Sequence, residues 1–360
     1  MNIKGSTLIR ATDADVAEDG TTTIPNGTTS IGDWAFDGCT SLVSVSIPNG
    51  VKSIGYRAFN RCTSLVSVSI PDSVKIIRDW AFDGCTSLAS VIIPNDVTSI
   101  GNWAFYGCTS LASVIIPNDV TSIGDWAFYG CTSLASVIIP NSVTSIGDWA
   151  FNRCTSLVSV TIPNGVKSIG YRAFNRCTSL VSVSIPNSVT SIGDGAFNGC
   201  TSLREIQSQG KIQKVVCIDG YVMTKERWRT IGETEYIEGK ILIRYDNGRW
   251  KTEKCTAAMR DGVSAHGETA RIALRDLKFK LAERRGAEQY ENVCLDDVFS
   301  LDDMISMYRV ITGACAFGVN QFIGGLNTVK ERYTPREVIE LTRDAYGGRA
   351  FREFFERSNK

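Results

Sequence analysis

Histidine is almost missing from this chain, with His266 its single copy. That scarcity removes most acid–base and metal chemistries that draw on two or more imidazoles. The segments CxxC, HExxH, a phosphate-binding glycine loop and Gly-x-Ser-x-Gly are also absent, so no nucleophile, zinc or nucleotide site can be read from spacing alone. Excess charge of either sign is lacking: 38 basic side chains face 38 acidic ones. This argues against a basic nucleic-acid binder and against a polybasic membrane-surface protein. No apolar run reaches the roughly 18 residues a membrane span needs. The opening MNIKGSTLIRATDADVAEDG has no apolar stretch of a secretory leader. The chain as written therefore reads as cytoplasmic; a leader removed ahead of it would make it secreted or a cell-surface protein.

What is abundant is regularity. Cys39, Cys62, Cys85, Cys108, Cys131, Cys154, Cys177 and Cys200 recur every 23 residues, and eight of the nine prolines, Pro25 to Pro186, keep the same interval. A fixed period of this length marks a repeat architecture. Equivalent positions in stacked coils lie about 4.7–4.9 Å apart where they fall on paired strands. The cysteines then form one internal column of small apolar side chains, free thiols rather than disulfides.

One copy shows the physics. In Leu42 to Pro48, Leu42, Val45 and Ile47 point inward along a short half-buried strand. Pro48 ends it, Asn49 and Gly50 turn, Val51 and Ile54 return to the interior, and Gly55 permits a tight corner. Ala58 and Phe59, followed by Cys62, read as one helical or 3₁₀ turn. A single unit cannot bury its apolar side, whereas eight stacked units bury a continuous core.

The unit SIGDWAFDGCTSLVSVSIPNGV and its copies over residues 24–208 resemble the leucine-rich repeats of the BspA type, known from bacterial surface proteins and some protist proteins. The resemblance implies a right-handed α/β-type leucine-rich repeat solenoid with short parallel strands on its concave side. It also implies recognition of proteins or cell surfaces rather than chemistry.

Residues 1–23 read as an N-terminal cap, because Asp19 and Thr22 stand where later coils have Leu and Val. At the other end Ser208 and Gln209 replace Ile and Pro, so the solenoid is expected to stop near 208. Between these limits the coils differ in two columns. On the strand, Ile92, Ile115 and Ile138 sit beside Ala89, Ala112 and Ala135 and the serines Ser90, Ser113 and Ser136. Such an apolar stripe with a small polar rim fits a protein partner; strand propensity alone is the competing explanation. The second column runs Trp34, Arg57, Trp80, Trp103, Trp126, Trp149, Arg172, Gly195. Its indoles fit either a protein- or glycan-binding edge or rings that stack on one another to shield the corner. The unit from Asn49 recurs from Asn164, a sign of duplicated whole units.

After residue 208 the period disappears. Basic residues number 27 against 24 acidic from residue 204 on, and 11 against 14 before it, too small an imbalance for nucleic acid. Residues 209–360 read as a small α+β domain. KVVCIDGYVM and KILIRYDNGRWKTEKC give short strands, the second pair turning at Asp246-Asn247-Gly248. A helix is expected from about Glu268 to Arg285, with Gly286 as its stop. Another starts at Ser300 with Asp303 in a capping box, and a third starts at Thr334-Pro335-Arg336-Glu337 and runs to Gly347-Gly348. A last short helix starts at FREFF. YRVITGACAFG reads as a packed helix end rather than a pocket. His266, as a general base with Glu268 near it and Cys255, Cys294 or Cys315 as the nucleophile, is the one catalytic candidate, for a Cys/His-dependent hydrolase or transferase; a loop or capping role for His266 is the alternative. A zinc site would have to gather Cys217, Cys255, Cys294, Cys315 and His266 without any diagnostic spacing. The expected function is non-enzymatic recognition of a protein, with no metal or cofactor.

Overall fold

The strands of each coil are short because its turns are many. In a computed structural model of the chain, describing all residues except 209–210, 247–248, 327 and 359–360, every coil contributes two strands. The first is typically three residues long, as in Ser113–Ile115, and the second two, as in Ser122–Ile123. Each pairs in parallel with its equivalent one coil on: Ser113 with Ser136, Ile115 with Ile138, Ile123 with Ile146. The result is a leucine-rich repeat β-solenoid of about nine turns.

The residues read as inward are inward. Leu42, Val45, Ile47, Val51, Ile54, Ala58, Phe59, Cys62 and Leu65 are all buried. Phe36, Phe59, Phe82, Phe105, Phe128, Phe151, Phe174 and Phe197 form a ladder of near-parallel rings with centroids 4.9–5.6 Å apart. The repeat cysteines are free and buried. From Cys62 onward each thiol donates to a phenylalanine carbonyl of the coil before, Cys131 Sγ to Phe105 O at 3.2 Å for example. Burial pushes the thiols of Cys131 and Cys177 up to about 12, so they stay protonated and inert.

The expected helical turn around Phe59 does not form. Arg57 and Arg61 both have positive φ, 52° and 56°, which breaks any helix. Alternate amides instead serve two directions. Ala58 and Cys62 donate back three residues, to Gly55 O and Phe59 O, while Arg57, Phe59 and Arg61 donate to Asp79, Ala81 and Asp83 of the next coil. The corner glycine is required by close approach: at Gly124 a Cβ would lie 2.7 Å from the Asn102 amide nitrogen. Arg78 occupies this corner in one coil. The bonds about it are correspondingly long, 3.2 Å for both Arg78 N to Ile54 O and Gly101 N to Ile77 O, against 2.8 Å for Gly170 N to Ile146 O.

Both ends of the stack are closed. At the start, Thr7–Arg10 pairs antiparallel with Asn2–Lys4 and parallel with the strand at Ser30, while Thr21–Thr23 pairs with Ser44–Ser46. Buried Thr22 donates its hydroxyl to Asp15 O at 2.7 Å, and exposed Asp19 holds the turn before it by accepting from Thr21. At the far end, Glu205–Ser208 pairs antiparallel with Lys211–Ile218, and Ser191–Ile192 pairs antiparallel with residues 245–246. Val215, Val222 and Leu242 complete the core there. The compact unit holding the coils therefore runs past 208, over Met1–Lys225 and Lys240–Glu253, because exposed sheet edges are covered by pairing. Of the Ser208-Gln209 signal, Gln209 lies outside the described residues.

The second unit comprises Glu226–Gly239 and Lys254–Lys360. The strands expected to be short, at 234–246 and 249–260, are 13 and 12 residues long, and Asn247-Gly248 of the expected turn lies outside the described residues. Helix α1 (Ala270–Arg285) is capped by the Thr269 side chain and stopped by Gly286 at φ 81°. It packs Ala273, Leu277 and Leu281 on Tyr236, Ala258 and Ala265. Helix α2 (Leu301–Thr312) begins at Ser300, whose oxygen accepts from Asp303 N; the Asp303 carboxylate takes the Ser300 hydroxyl, so the reciprocal capping box is not completed. Helix α3 (Ala316–Gly324) was not foreseen. Helix α4 (Pro335–Leu341) has the full box at Thr334 and Glu337 but ends before Gly347-Gly348, and α5 (Gly348–Ser358) starts where α4 was expected to stop. Gly348 can sit against Thr342 O, where an added Cβ would come to 1.8 Å. Among the described residues no helix is long and apolar enough to cross a membrane.

Candidate functional site

The strand column begins from alternation. With Val91, Val114 and Val137 turned into the core, their neighbours must face out. Ile92, Ile115 and Ile138 are 74%, 66% and 62% exposed, and Ala89, Ala112, Ala135, Ser90, Ser113 and Ser136 around them are exposed too. Parallel register sets each isoleucine beside the next, bounded by Ser69 on one side and Thr161 on the other. Pro94, Pro117 and Pro140, two residues after each isoleucine, are buried, whereas Pro48, Pro71, Pro163 and Pro186 in coils without the isoleucine are half-buried. The prolines are thus more deeply buried in the coils that carry an isoleucine, while the isoleucines themselves present most of their surface to solvent.

The corner column is organised differently. Trp34, Trp80, Trp103, Trp126 and Trp149 all have positive φ, between 54° and 62°, as do Arg57 and Arg172. Their rings stack: Trp80 on Trp103 at 4.6 Å, Trp103 on Trp126 at 6.3 Å and Trp126 on Trp149 at 4.7 Å. The arginines do not interrupt the stack but extend it. The Arg57 guanidinium lies 4.6 Å from the Trp34 ring and 4.5 Å from Trp80, and Arg172 lies 4.9 Å from Trp149. Most ring faces are therefore covered by neighbours, and the edges face out. Beside the stack runs a carboxylate–amide ladder, in which Asp33 Oδ1 accepts from Tyr56 N at 2.8 Å and Asp125 Oδ1 from Asp148 N at 2.7 Å. The left-handed backbone was the feature missed from sequence. Its one visible signal is Gly195 closing the column.

Asp83 follows the corner residue Trp80 by three positions and is half-buried, and burial pushes its carboxyl up to about 6, against the pull of Arg57 and Arg61. An unfolded aspartate ionises near pH 4, so the folded state binds the extra proton between these values. Stability contributed by that proton is present at low pH and lost as pH rises towards 6. Asp83→Asn is expected to remove this dependence and to raise stability at pH 7.5 by about 1–2 kcal/mol after allowance for partial solvation. Urea midpoints at pH 4.5 and 7.5 check it; a variant that gains nothing at the higher pH refutes it. Asparagine already occupies the equivalent position at 60, 152, 175 and 198.

The catalytic candidates fare as follows. His266 is neither loop nor helix cap. It lies within strand Val263–Gly267, paired with Ala257, and Thr269 is the cap of α1. Cys255 is buried and lies two residues from Ala257 along the facing strand, and Glu268 is exposed. Cys294 and Cys315 are exposed, Cys315 at the N-terminus of α3 and Cys294 in the loop before α2. Cys255 and His266 thus sit on two paired strands, whereas Cys294 and Cys315 belong to other elements. Among the described residues no group of three or more His, Cys, Asp or Glu is gathered as a metal site would require. The segment around Cys315 is a packed helix end, with α2 capped at Gly313 and Tyr308 and Ala314 buried, but it is a pocket wall as well: Gly313, Ala314 and Cys315 line an apolar cavity of about 580 Å³ with Ile305, Tyr308 and Phe322. The chain leaves α2 at left-handed Gly313 and starts α3 three residues later, which opens the space.

A family model described as the BspA type leucine-rich repeat region matches residues 20–135 and 121–217, in six copies. Among solved structures, a leucine-rich repeat protein of T. pallidum is 33% identical over 51% of this chain and 78% of its own, with a TM-score of 0.42. One from Bacteroides ovatus is 28% identical over 52% of this chain and 63% of its own, with a TM-score of 0.33. No curated protein matches.

Proposed function

Because the chain belongs to the BspA-type leucine-rich repeat family, we propose that it is a non-enzymatic recognition protein that binds a protein partner through the strand face of its solenoid. The observation that carries the reading is the in-register row of Ile92, Ile115 and Ile138, each more than three-fifths exposed. Three adjacent branched side chains held on paired strands lose little conformational freedom on binding, so the burial of each contributes nearly in full. Ser90, Ser113 and Ser136 beside them supply hydroxyls for a polar rim. The middle coils would form the binding centre, since flanking coils carry Ser69 and Thr161 in the isoleucine column.

The variant Ile92→Ser/Ile115→Ser/Ile138→Ser tests this, because serine is the natural residue of the column at 46, 69 and 184, so the variant is expected to keep the fold. Wild-type and variant chains are used as baits in a lysate of the native source, with captured proteins identified by mass spectrometry and re-measured by titration. A partner bound at least about tenfold more weakly by the variant, at unchanged melting temperature, is the expected result, equal to about 1.4 kcal/mol or more. Equal capture by both baits rejects the strand face as the site.

A further inference from the structure

The two copies of NGVKSIGYRAFNRCTSLVSVSIP, from Asn49 and from Asn164, are identical in sequence and sit between different neighbours. The first places Arg57 and Arg61 between Asp37 and Asp83, and Asn60 Nδ2 donates to Asp37 Oδ1 at 2.6 Å. The second places Arg172 and Arg176 between Asn152 and Asn198, with Arg153 added by the preceding coil. The acids of the first setting are thus amides in the second. The ion pairs described in the coils join Asp15 to the Met1 amine and Glu205 to Lys214, and none described involves Arg153, Arg172 or Arg176.

The three arginines line a groove of about 450 Å³ within the coil-bearing unit, floored by Asn152, Asn175 and Asn198. Asp219 is the one carboxylate among its described lining residues, so the lining is net positive. Register fixes the cations close together: Arg153 N donates to Asn175 O at 2.8 Å and Arg176 N to Asn198 O at 2.7 Å. Their side chains therefore start about one coil, roughly 4.8 Å, apart. Like charges so placed repel unless an anion lies between them. Both residues also have positive φ, 59° and 60°, at a position that is glycine in Gly38, Gly84, Gly107, Gly130 and Gly199. Arginine is thus kept where glycine is the strain-free choice. Finally, Asn152 is 1% exposed, and its Oδ1 has no hydrogen-bond partner although its Nδ2 donates to Asn175 Oδ1 at 3.0 Å. Asn60 Oδ1 in the first copy is orphaned in the same way, so the acceptor is common to both settings and the arginines distinguish the second; an acceptor left open costs stability until a donor reaches it.

We propose that this groove binds an acidic sugar, its carboxylate or sulfate held by Arg153, Arg172 and Arg176 and a hydroxyl by the Asn152 carboxamide. An arginine fork matches either oxyanion. Asn152 Nδ2 and Asn175 Nδ2 are already used, donating to Asn175 Oδ1 and Asn198 O, so what the amides leave open is the acceptor Asn152 Oδ1, and a sugar hydroxyl supplies a donor close beside its own anionic group. The site is separate from the isoleucine row and stands or falls independently of it.

Calorimetric titration of the full chain with trigalacturonate, a heparin-derived hexasaccharide, maltotriose and hexaglutamate tests the proposal. Binding of either acidic sugar, with maltotriose and hexaglutamate at least tenfold weaker, is the expected result, and the two acidic arms tell carboxylate from sulfate. Arg153→Gly/Arg176→Gly, which inserts the residue other coils already hold there, is expected to keep the melting temperature and weaken that binding at least tenfold, while Arg61→Gly leaves it unchanged. No binding of either acidic sugar, equal binding of maltotriose or hexaglutamate, or equal loss with Arg61→Gly overturns the proposal.

Discussion

Phe128→Ala is expected to destabilise the solenoid by about 3–5 kcal/mol, the range for emptying a fully buried aromatic site. Phe128 is wholly buried and stacks on Phe105 at 5.3 Å and on Phe151 at 5.2 Å. Its loss leaves a void between two rings whose own positions are set by strand register, so the coil cannot easily close around it. Stability in such an array is a sum of coil and nearest-neighbour terms, and one change at the centre weakens two interfaces at once. The array is expected to unfold in two separable steps, where the parent shows one. Phe36→Ala is the comparison, since among the described residues its ring stacks only on Phe59, at 4.9 Å, and the damage stays at one end. Equilibrium unfolding in urea reads both midpoint and slope. Equal losses for Phe36→Ala and Phe128→Ala, with one transition each, would show that the ring ladder is not what couples the coils.

That ladder was legible because its cause is purely periodic. An inward residue repeated every 23 positions has no alternative environment, and neither propensity nor context can reassign it. The same logic recovered the buried thiols, the outward isoleucines and the polar first strand at Thr21–Thr23. What periodicity does not contain is the backbone conformation between inward residues. Ala58, Phe59 and Cys62 have spacing compatible with a helical turn, and only the positive φ of Arg57 and Arg61 decides against it. Sequence hides that choice at Arg57, whose column is mostly tryptophan and arginine, residues that ordinarily avoid the left-handed region; at Arg61 the glycines Gly38, Gly84, Gly107, Gly130 and Gly199 of the same column are its signal. In the second unit, Thr334 and Gly286 marked helix ends correctly because caps act locally. Helix α4 stops earlier than its glycines because the chain turns after Leu341, with Ala345 N donating to Thr342 O and Gly348 N to Ala345 O, turns that no glycine or proline at 342–345 announces.

The candidate sites divide along the same line. The isoleucine row needs only alternation and register, both of which a strand pattern supplies. The arginine groove needs knowledge of which coil lies above and which below. Identical 23-residue units carry it in one place and a neutralised version in the other, so no reading of the unit alone can separate them. His266 shows the converse: an isolated histidine drew attention by rarity, and the strand pairing that places it opposite Ala257 is ordinary sheet structure.

Trp126 discriminates between stacking and exposure as the reason for the corner column. Its ring lies 4.7 Å from Trp149, 4.9 Å from Tyr129, 6.3 Å from Trp103 and 6.4 Å from Tyr106. With aromatic pairs contributing about 0.5–1.5 kcal/mol each beyond burial, Trp126→Ala is expected to cost about 2–3 kcal/mol. Alanine also keeps the left-handed penalty of about 1 kcal/mol, because φ is 60° there. Glycine escapes that penalty, so Trp126→Gly is expected to be the less damaging change, with stability ordered wild type, glycine, alanine. Thermal and urea unfolding of the two variants measures the order. If both variants lose less than about 0.5 kcal/mol, within the range of an ordinary surface change, the stack does not hold the corner. A bulky residue kept in a left-handed backbone position without any return in stability would then have its explanation outside the fold, in a partner that meets the indole edges.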